Sequence, residues 1–196
     1  MTYPINEIFY SLQGEGYWSG RPAVFVRLSG CNLRCPFCDT DYSHSVPLTA
    51  SQIAERVGEY EADFVVLTGG EPTLFVDKEL TDALHHSGKF LAIETNGTRP
   101  LRGDIDWVTL SPKDSFVTNG EVALQKADEL KLVYDGTNTD AFLRYSQFPA
   151  NHFFLQPCDT GDATRNVQLQ KDAIRLCLQH PQWRLSLQLH KLLNIR

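Results

Sequence analysis

The chain reads as an α/β protein built on a shortened, open (β/α)6-like partial TIM barrel. Apolar runs with strand character alternate with amphipathic helical stretches, the order that gives parallel strands joined by right-handed crossovers. A closed eight-unit barrel takes about 250 residues, whereas this chain has 196. The barrel is therefore expected to stay incomplete, with one domain using residues 1–196. Polar residues break the apolar pattern where strands end: Cys31, Thr68 to Glu71, Glu94 to Asn96, Ser111 to Lys113, and Gln156. Each alone is an ordinary polar loop residue, but together they mark the end of a barrel that carries its site.

Ile5 to Leu12 is a first strand or extended segment. Gln13-Gly14-Glu15-Gly16 then turns the chain, its glycines allowing an ordinary hairpin or close backbone approach to a ligand. Ala23 to Leu28 is a continuous apolar run suited to a buried parallel strand, and Arg27 interrupts it. An arginine there needs an anion, and a carboxylate could meet it bidentately, unless the strand tip is exposed. Thr49-Ala-Ser-Gln52 has the capping-box pattern and opens a helix with Ile53, Val57 and Tyr60 on one face. Phe64 to Thr68 is a buried strand, Leu80 to His86 a helix stopped at Gly88, and Phe90 to Glu94 the next strand. His85 and His86 point about a hundred degrees apart on that helix, so they cover surface rather than share a metal. Trp107 to Ser111 and Leu130 to Tyr134 are further strands, followed by a short helix at Asp140 to Ser146 and a strand at His152 to Gln156. Asn166 is expected to cap a long helix reaching Gln179, with Val167, Ile174 and Leu178 inward, and Trp183 to Leu189 a last strand or extended segment.

The chemistry concentrates in Cys31-Asn-Leu-Arg-Cys35-Pro-Phe-Cys38-Asp39-Thr40, directly after the strand that carries Arg27. A four-iron cluster wants one ligand per iron, so three thiolates leave one iron open. Two plainer readings stand beside this one. Structural zinc takes four ligands, often as two separated Cys pairs; no second pair exists here, although His44 could complete a set. A disulfide would leave an odd thiol and needs an oxidising compartment.

The CxxxCxxC spacing resembles the signature of radical S-adenosylmethionine (SAM) enzymes, in which the open iron binds the amino acid end of SAM. Among these the chain looks most like the 7-carboxy-7-deazaguanine synthase family. The resemblance runs through Leu12-Gln13-Gly14-Glu15-Gly16, the spacing to Arg27, Cys38-Asp39-Thr40, Thr68-Gly69-Gly70-Glu71-Pro72, Ser111-Pro112-Lys113 and the ending His190 to Arg196. It spans nearly the whole chain and implies a partial barrel of the radical SAM type. It also implies roles. Cys31, Cys35 and Cys38 would ligate a [4Fe-4S] cluster, and Thr40 would be the single protein ligand to Mg2+. SAM would be bound by Phe37, Cys38, Asp39, Gly70, Glu94, Ser111, Pro112, Lys113 and Gln156. A pterin substrate would meet Leu12, Gln13, Gly14, Glu15, Arg27, Thr68, His190 and the chain end at Arg196, whose carboxylate the family turns toward substrate.

The reaction implied is that of a carbon–nitrogen lyase, converting 6-carboxy-5,6,7,8-tetrahydropterin to 7-carboxy-7-deazaguanine with loss of ammonia, on the way to queuosine-type nucleosides. One electron from flavodoxin or ferredoxin would enter the cluster and cleave SAM, and the resulting 5′-deoxyadenosyl radical would take a hydrogen from C6 of the pterin. No side-chain acid or base is expected to be catalytic, because the cofactors supply the hard chemistry. A homodimer is also implied. Without the resemblance, Thr40 is a loop hydroxyl of a kind that suits magnesium, and Gly69-Gly70 is a turn whose backbone can approach a charged amino acid group. Lys113 is then a loop charge and the segment from His190 a fraying helix end. Residues 114–128 and Cys158 receive no role, and Cys177 reads as core filler. The nearer rival is a radical SAM activase acting on a partner protein; the more distant one is a zinc-stabilised binding module.

Totals narrow the field. The net charge is −6 and no basic run exists, so the footprint of a nucleic-acid binder is missing. Met1 to Gln13 lacks the features of a secretory signal, and no apolar run approaches the roughly 18 residues that span a bilayer. The expected location is the cytoplasm, away from membranes, where thiols stay reduced.

Overall fold

The computed structural model describes residues 1–41 and 44–196. It opens with an antiparallel hairpin, β1 (Thr2–Leu12) and β2 (Pro22–Leu28), and continues through β3 (Val46–Thr49), α1 (Ala50–Gly58), β4 (Phe64–Gly69) and a 3₁₀ turn at Pro72–Leu74. The middle of the chain forms α2 (Lys78–His86), β5 (Phe90–Thr95), β6 (Trp107–Leu110), β7 (Ala127–Tyr134) and α3 (Thr139–Tyr145). Then come β8 (Ala150–Pro157), α4 (Ala163–Gln179), β9 (Trp183–Leu185) and α5 (Leu189–Leu193). One sheet runs β3-β1-β2-β4-β5-β6-β7-β8-β9. From β2 to β9 every neighbouring pair is parallel. The expected run of six parallel strands is present as β2 and β4 to β8, lengthened by the short β9 and backed by the antiparallel β1 and β3.

Alternation along each strand sorts side chains between two faces. Val26, Leu28, Val65, Leu67, Leu91, Ile93, Leu130, Leu132 and Leu155 turn outward into one large core with Ile53 and Val57 of α1 and Leu80 and Leu84 of α2. On the concave face Ala23, Phe25, Phe64, Val66 and Ala92 form a smaller cluster with Phe9, closed by Trp18, Phe90 and Trp107. Toward the carboxyl ends of the strands that same inward row turns polar: Arg27, Thr68, Glu94, Ser111, Lys131 and Gln156. The sheet thus has an aromatic floor and a polar mouth.

Local chemistry explains the helices. In α1 the Thr49 hydroxyl accepts from Gln52 N at 3.3 Å while the Gln52 amide oxygen accepts from Thr49 N at 2.9 Å, the reciprocal capping box. Tyr60 lies just past that helix, stacked on Tyr10 at 5.4 Å. In α2 Asp77 accepts from Leu80 N, and His85 and His86 bond separately to Asp106 and to the Asp82 carbonyl. They share no ligand.

Three expectations are corrected. The long helix starts at Ala163, capped by Asp162, which accepts from Thr164 N and Arg165 N; Asn166 instead accepts from Thr160 N and its hydroxyl. Starting there, α4 buries Leu169 and Ala173 and leaves Val167, Ile174 and Leu178 exposed, Leu178 at 78%. Trp183 to Leu189 is strand only as far as Leu185, because Ser186 N turns back to Leu155 O and α5 follows. Finally, β5, β6 and β7 are joined without helices, so the strand–helix alternation lapses in the middle of the sheet. Among the described residues no helix is long and apolar enough to cross a membrane.

Candidate active site

The polar mouth opens into a cavity of about 310 Å³, within the size range of small-molecule sites. Cys31, Cys35 and Cys38 line one side of it, with Phe37, Asp39 and Thr40 from the same loop. No disulfide joins any of the chain's five cysteines. His44, the fourth ligand that the zinc reading would use, is exposed and is not among the residues lining the cavity; its carbonyl accepts from Asn6 and Ser29. Burial pushes the Cys31 and Cys35 thiols up from their ordinary values. A cation at their sulfurs would reverse that preference, since a ligating thiol gives up its proton.

The turn after β4 docks onto the start of the cysteine loop. Gly70 N donates to Leu28 O at 3.1 Å and Glu71 N to Gly30 O at 2.9 Å. A Cβ on Gly70 would collide with the Gly30 carbonyl and stand 3.0 Å from Cys31 Cβ, so glycine is what lets the two loops touch. Because both N–H groups are committed there, the backbone groups left to the turn are carbonyl oxygens, which suit an ammonium rather than a carboxylate. The fully buried Glu71 carboxylate then ties the turn to the end of β5. It accepts from Thr73 N at 3.0 Å, the Thr73 hydroxyl at 2.6 Å, the Thr95 hydroxyl at 2.7 Å and Asn96 N at 2.7 Å. Asn96 in turn donates to Asn32 in the cysteine loop at 3.2 Å.

The opposite wall is charged. Gln13 Nε2 donates to Glu94 Oε1 at 2.9 Å, and Glu15 N donates to Gln13 Oε1 at 3.1 Å. Lys131, its side chain only 5% exposed, pairs with Glu15 Oε2 and reaches Glu94 Oε2 at 3.4 Å. Burial opposes a charged Glu15, yet the Lys131 ammonium and the Gln188 amide, 2.9 Å from Oε1, outweigh it and hold the carboxyl well below its usual value. Burial likewise opposes a charged Lys131, but Glu15, Glu94 and Glu129 around it hold the ammonium protonated. Half-buried Lys113 bonds back to the Ser111 carbonyl at 2.7 Å and hydroxyl at 2.6 Å, and burial pulls its pKa down to about 8. Gln156 Oε1 accepts from Ser186 Oγ at 2.9 Å, and that oxygen accepts from Gly16 N at 3.1 Å.

Arg27 finds its anion within the chain: Nε donates to Glu7 Oε1 at 2.8 Å, and the same carboxylate pairs with Arg196, whose guanidinium lies 4.9 Å over the Phe9 ring. His190 packs on Gly14, where Leu189 N donates to Gly14 O at 3.0 Å, and Lys191 bridges Asp39 at 2.8 Å and Asp159 at 2.9 Å. The carboxyl-terminal segment thereby crosses the mouth from the cysteine loop to β1.

Of the residues singled out from the sequence, Leu12, Gln13, Gly14, Glu15, Arg27, Thr68, Gly70, Glu94, Ser111, Lys113, Gln156, His190 and Arg196 join the cysteine loop around the cavity. Pro112 does not; it is buried behind the wall between Ser111 and Lys113. The sequence reading missed Lys131, the positioning roles of Glu7 and Glu71, and Phe116, whose ring meets Phe37 edge-on at 4.7 Å. Lys131 was visible in principle. It stands between Leu130 and Leu132 in a buried run, the same interruption that drew attention to Arg27.

The radical SAM superfamily model matches residues 25–131, from the strand carrying Arg27 to Lys131. A 7-carboxy-7-deazaguanine synthase from Bacteroides thetaiotaomicron is 50% identical over all of both chains. One from Nitratidesulfovibrio vulgaris is 43% identical, again over the full length of each. Among solved structures, the crystal structure of QueE from Escherichia coli superposes with a TM-score of 0.79 at 30% identity, covering 96% of this chain and 95% of that one. The chain is a member of the radical SAM superfamily and, within it, of the 7-carboxy-7-deazaguanine synthase family.

Proposed function

We propose that the chain is a radical SAM carbon–nitrogen lyase that converts 6-carboxy-5,6,7,8-tetrahydropterin to 7-carboxy-7-deazaguanine with loss of ammonia, in the supply of queuosine-type 7-deazapurines. The observation that carries this reading is that one cavity has a three-cysteine loop on one wall and a carboxylate, amide and arginine wall opposite, at the positions the resemblance assigns to cofactor and substrate. The donor set fits a [4Fe-4S] cluster held by Cys31, Cys35 and Cys38, which would supply an open iron and an electron for cleaving SAM.

The chain's own residues do the rest. The Gly69-Gly70 turn offers carbonyls to the SAM ammonium, and Glu94 accepts from ribose hydroxyls. Phe37, Asp39, Ser111, Lys113 and Gln156 line the remaining SAM wall, with Pro112 supporting it from behind. Leu12, Gln13, Gly14, Glu15, Thr68 and His190 grip the pterin ring, and Arg27 takes its carboxylate with the guanidinium nitrogens beyond Nε. Thr40 is the protein oxygen for Mg2+, which takes its other ligands from water and substrate. Arg196, paired with Glu7, closes the substrate side. Holding the two reactants together in a site shielded from water is the protein's main contribution.

Flavodoxin or ferredoxin supplies the electron, and the cytoplasm is the compartment where such thiols stay reduced. A homodimer is part of the same reading; the exposed stripe Val167, Ile174 and Leu178 on α4 supports it. In the direct test, anoxically reconstituted protein receives SAM, a reductant, Mg2+ and carboxytetrahydropterin. Mass spectrometry should then find 7-carboxy-7-deazaguanine; 5′-deoxyadenosine without any deazapurine would overturn the assigned substrate.

A further inference from the structure

The Gln13–Glu15 turn and the end of β5 are not merely neighbours. They form a closed ring: Glu15 N to Gln13 Oε1, Gln13 Nε2 to Glu94 Oε1, Glu94 Oε2 to Lys131 Nζ, and Lys131 Nζ to Glu15 Oε2. Lys131 is the only cation in that ring. It points inward from β7 beside Phe154 of β8, between the outward Leu130 and Leu132. One buried ammonium thus serves two carboxylates, bonding Glu15 directly and reaching Glu94 only at the 3.4 Å edge of hydrogen-bond range. A third carboxylate, Glu129, is two residues away on the same strand.

We propose that Lys131 is a positioning residue that couples the two halves of the cavity, so that what happens to Glu15 on the substrate wall sets the state of Glu94 on the SAM wall. This rests on the reading of Glu15 as a substrate contact and Glu94 as a SAM contact. With Glu15 charged, it draws the ammonium away and leaves Glu94 Oε2 open for ribose hydroxyls. With Glu15 neutralised, the ammonium swings onto Glu94 and competes with the ribose. Burial of the shared ammonium, its side chain only 5% exposed, strengthens such a transfer, because Lys131 has little water to turn to when a partner is lost. Thermodynamic linkage requires the effect to be reciprocal, so SAM alters the affinity for a ligand at Glu15 by the same factor.

The test is a double-mutant cycle read by SAM binding alone, with the cluster reconstituted and no substrate present. Glu15→Gln removes a charge that does not itself contact SAM. It should raise the SAM dissociation constant at least fivefold, and the increment should vanish when Glu15→Gln is made in a Lys131→Met background. An unchanged or tighter SAM affinity in the Glu15→Gln protein overturns the proposal, as does an increment that survives undiminished with Lys131→Met. If Lys131→Met does not fold, Glu15→Gln alone still decides, because its effect on SAM is the prediction. Wild-type protein that fails to bind SAM at all would count against the proposed function rather than against this coupling.

Discussion

At the scale of single residues, the site depends on contacts that admit little substitution. Gly70→Ala would drive a methyl group into the Gly30 carbonyl beside Cys31, an overlap with backbone that costs about 1–3 kcal/mol and displaces the cysteine loop. Iron retained per chain after anoxic reconstitution should fall severalfold in Gly70→Ala. Gly58→Ala, where a Cβ meets nothing within 4 Å, should match the parent.

Glu129 supplies a pH dependence of its own. Burial pushes its carboxyl up to about 7, against the pull of Lys131 and the Tyr17 N–H. A raised carboxyl holds its proton more tightly in the folded chain than in the unfolded one. Its contribution is therefore greatest below the unfolded pKa near 4.5 and is lost as pH rises toward 7, by about 3 kcal/mol. Thermal midpoints should fall across that window in the parent protein, and Glu129→Gln should flatten the fall. Equal slopes in both proteins would show that Glu129 titrates normally. Glu15 acts in the opposite sense at lower pH. Its depressed carboxyl gives stability that is present above the unfolded value and is lost as pH falls toward about 2.

At the scale of elements, the strands were the legible part and α4 was the illegible one. The central parallel strands were readable because each outward row is a block of Val, Leu and Ile whose inward neighbours change from aromatic to polar in step, whereas the short edge strand β3 and the early end of β9 were not. In α4 two apolar stripes compete: Leu169 and Ala173 against the larger Val167, Ile174 and Leu178. Size favoured the second stripe. The helix nevertheless packs through the smaller one, because the Asp162 cap fixes its start and Ala173 allows a close approach to the sheet. Leu169→Ala should accordingly lower the unfolding free energy by about 2–3 kcal/mol in denaturant titrations. Leu178→Asp should leave the fold intact and, if the proposed homodimer uses this stripe, raise the monomer fraction in light scattering. A large loss of stability in Leu178→Asp monomer would contradict the packing described here.

Lys131 was passed over for a related reason. A lysine inside an apolar run is read as a snorkelling edge residue unless its partners are known, and Glu15 and Glu94 are 116 and 37 residues away in sequence. The cysteine loop needed no such long-range knowledge, since its three cysteines lie within one short segment. The carboxyl-terminal strap was only half visible: the resemblance assigns His190 and Arg196 to the substrate side and both line the cavity, but the pairing of Arg196 with Glu7 and of Lys191 with Asp39 arises from tertiary placement alone.

At the scale of the whole molecule, an open sheet provides one concave face with the chemistry gathered at its carboxyl rim. The helix-free links from β5 to β7 thin the middle of the barrel, and Phe116 from the second of these links reaches the cysteine loop through Phe37. Length alone foretold an incomplete barrel but not which helices would be missing. The proposed chemistry depends on three cysteines gripping a cubane with one iron left for SAM. The most direct measurement is low-temperature electron paramagnetic resonance of the anoxically reconstituted, reduced protein, recorded before and after SAM is added. The expected result is a four-iron signal whose g values shift when SAM binds. Colourless protein carrying zinc, or an iron signal indifferent to SAM, would contradict it.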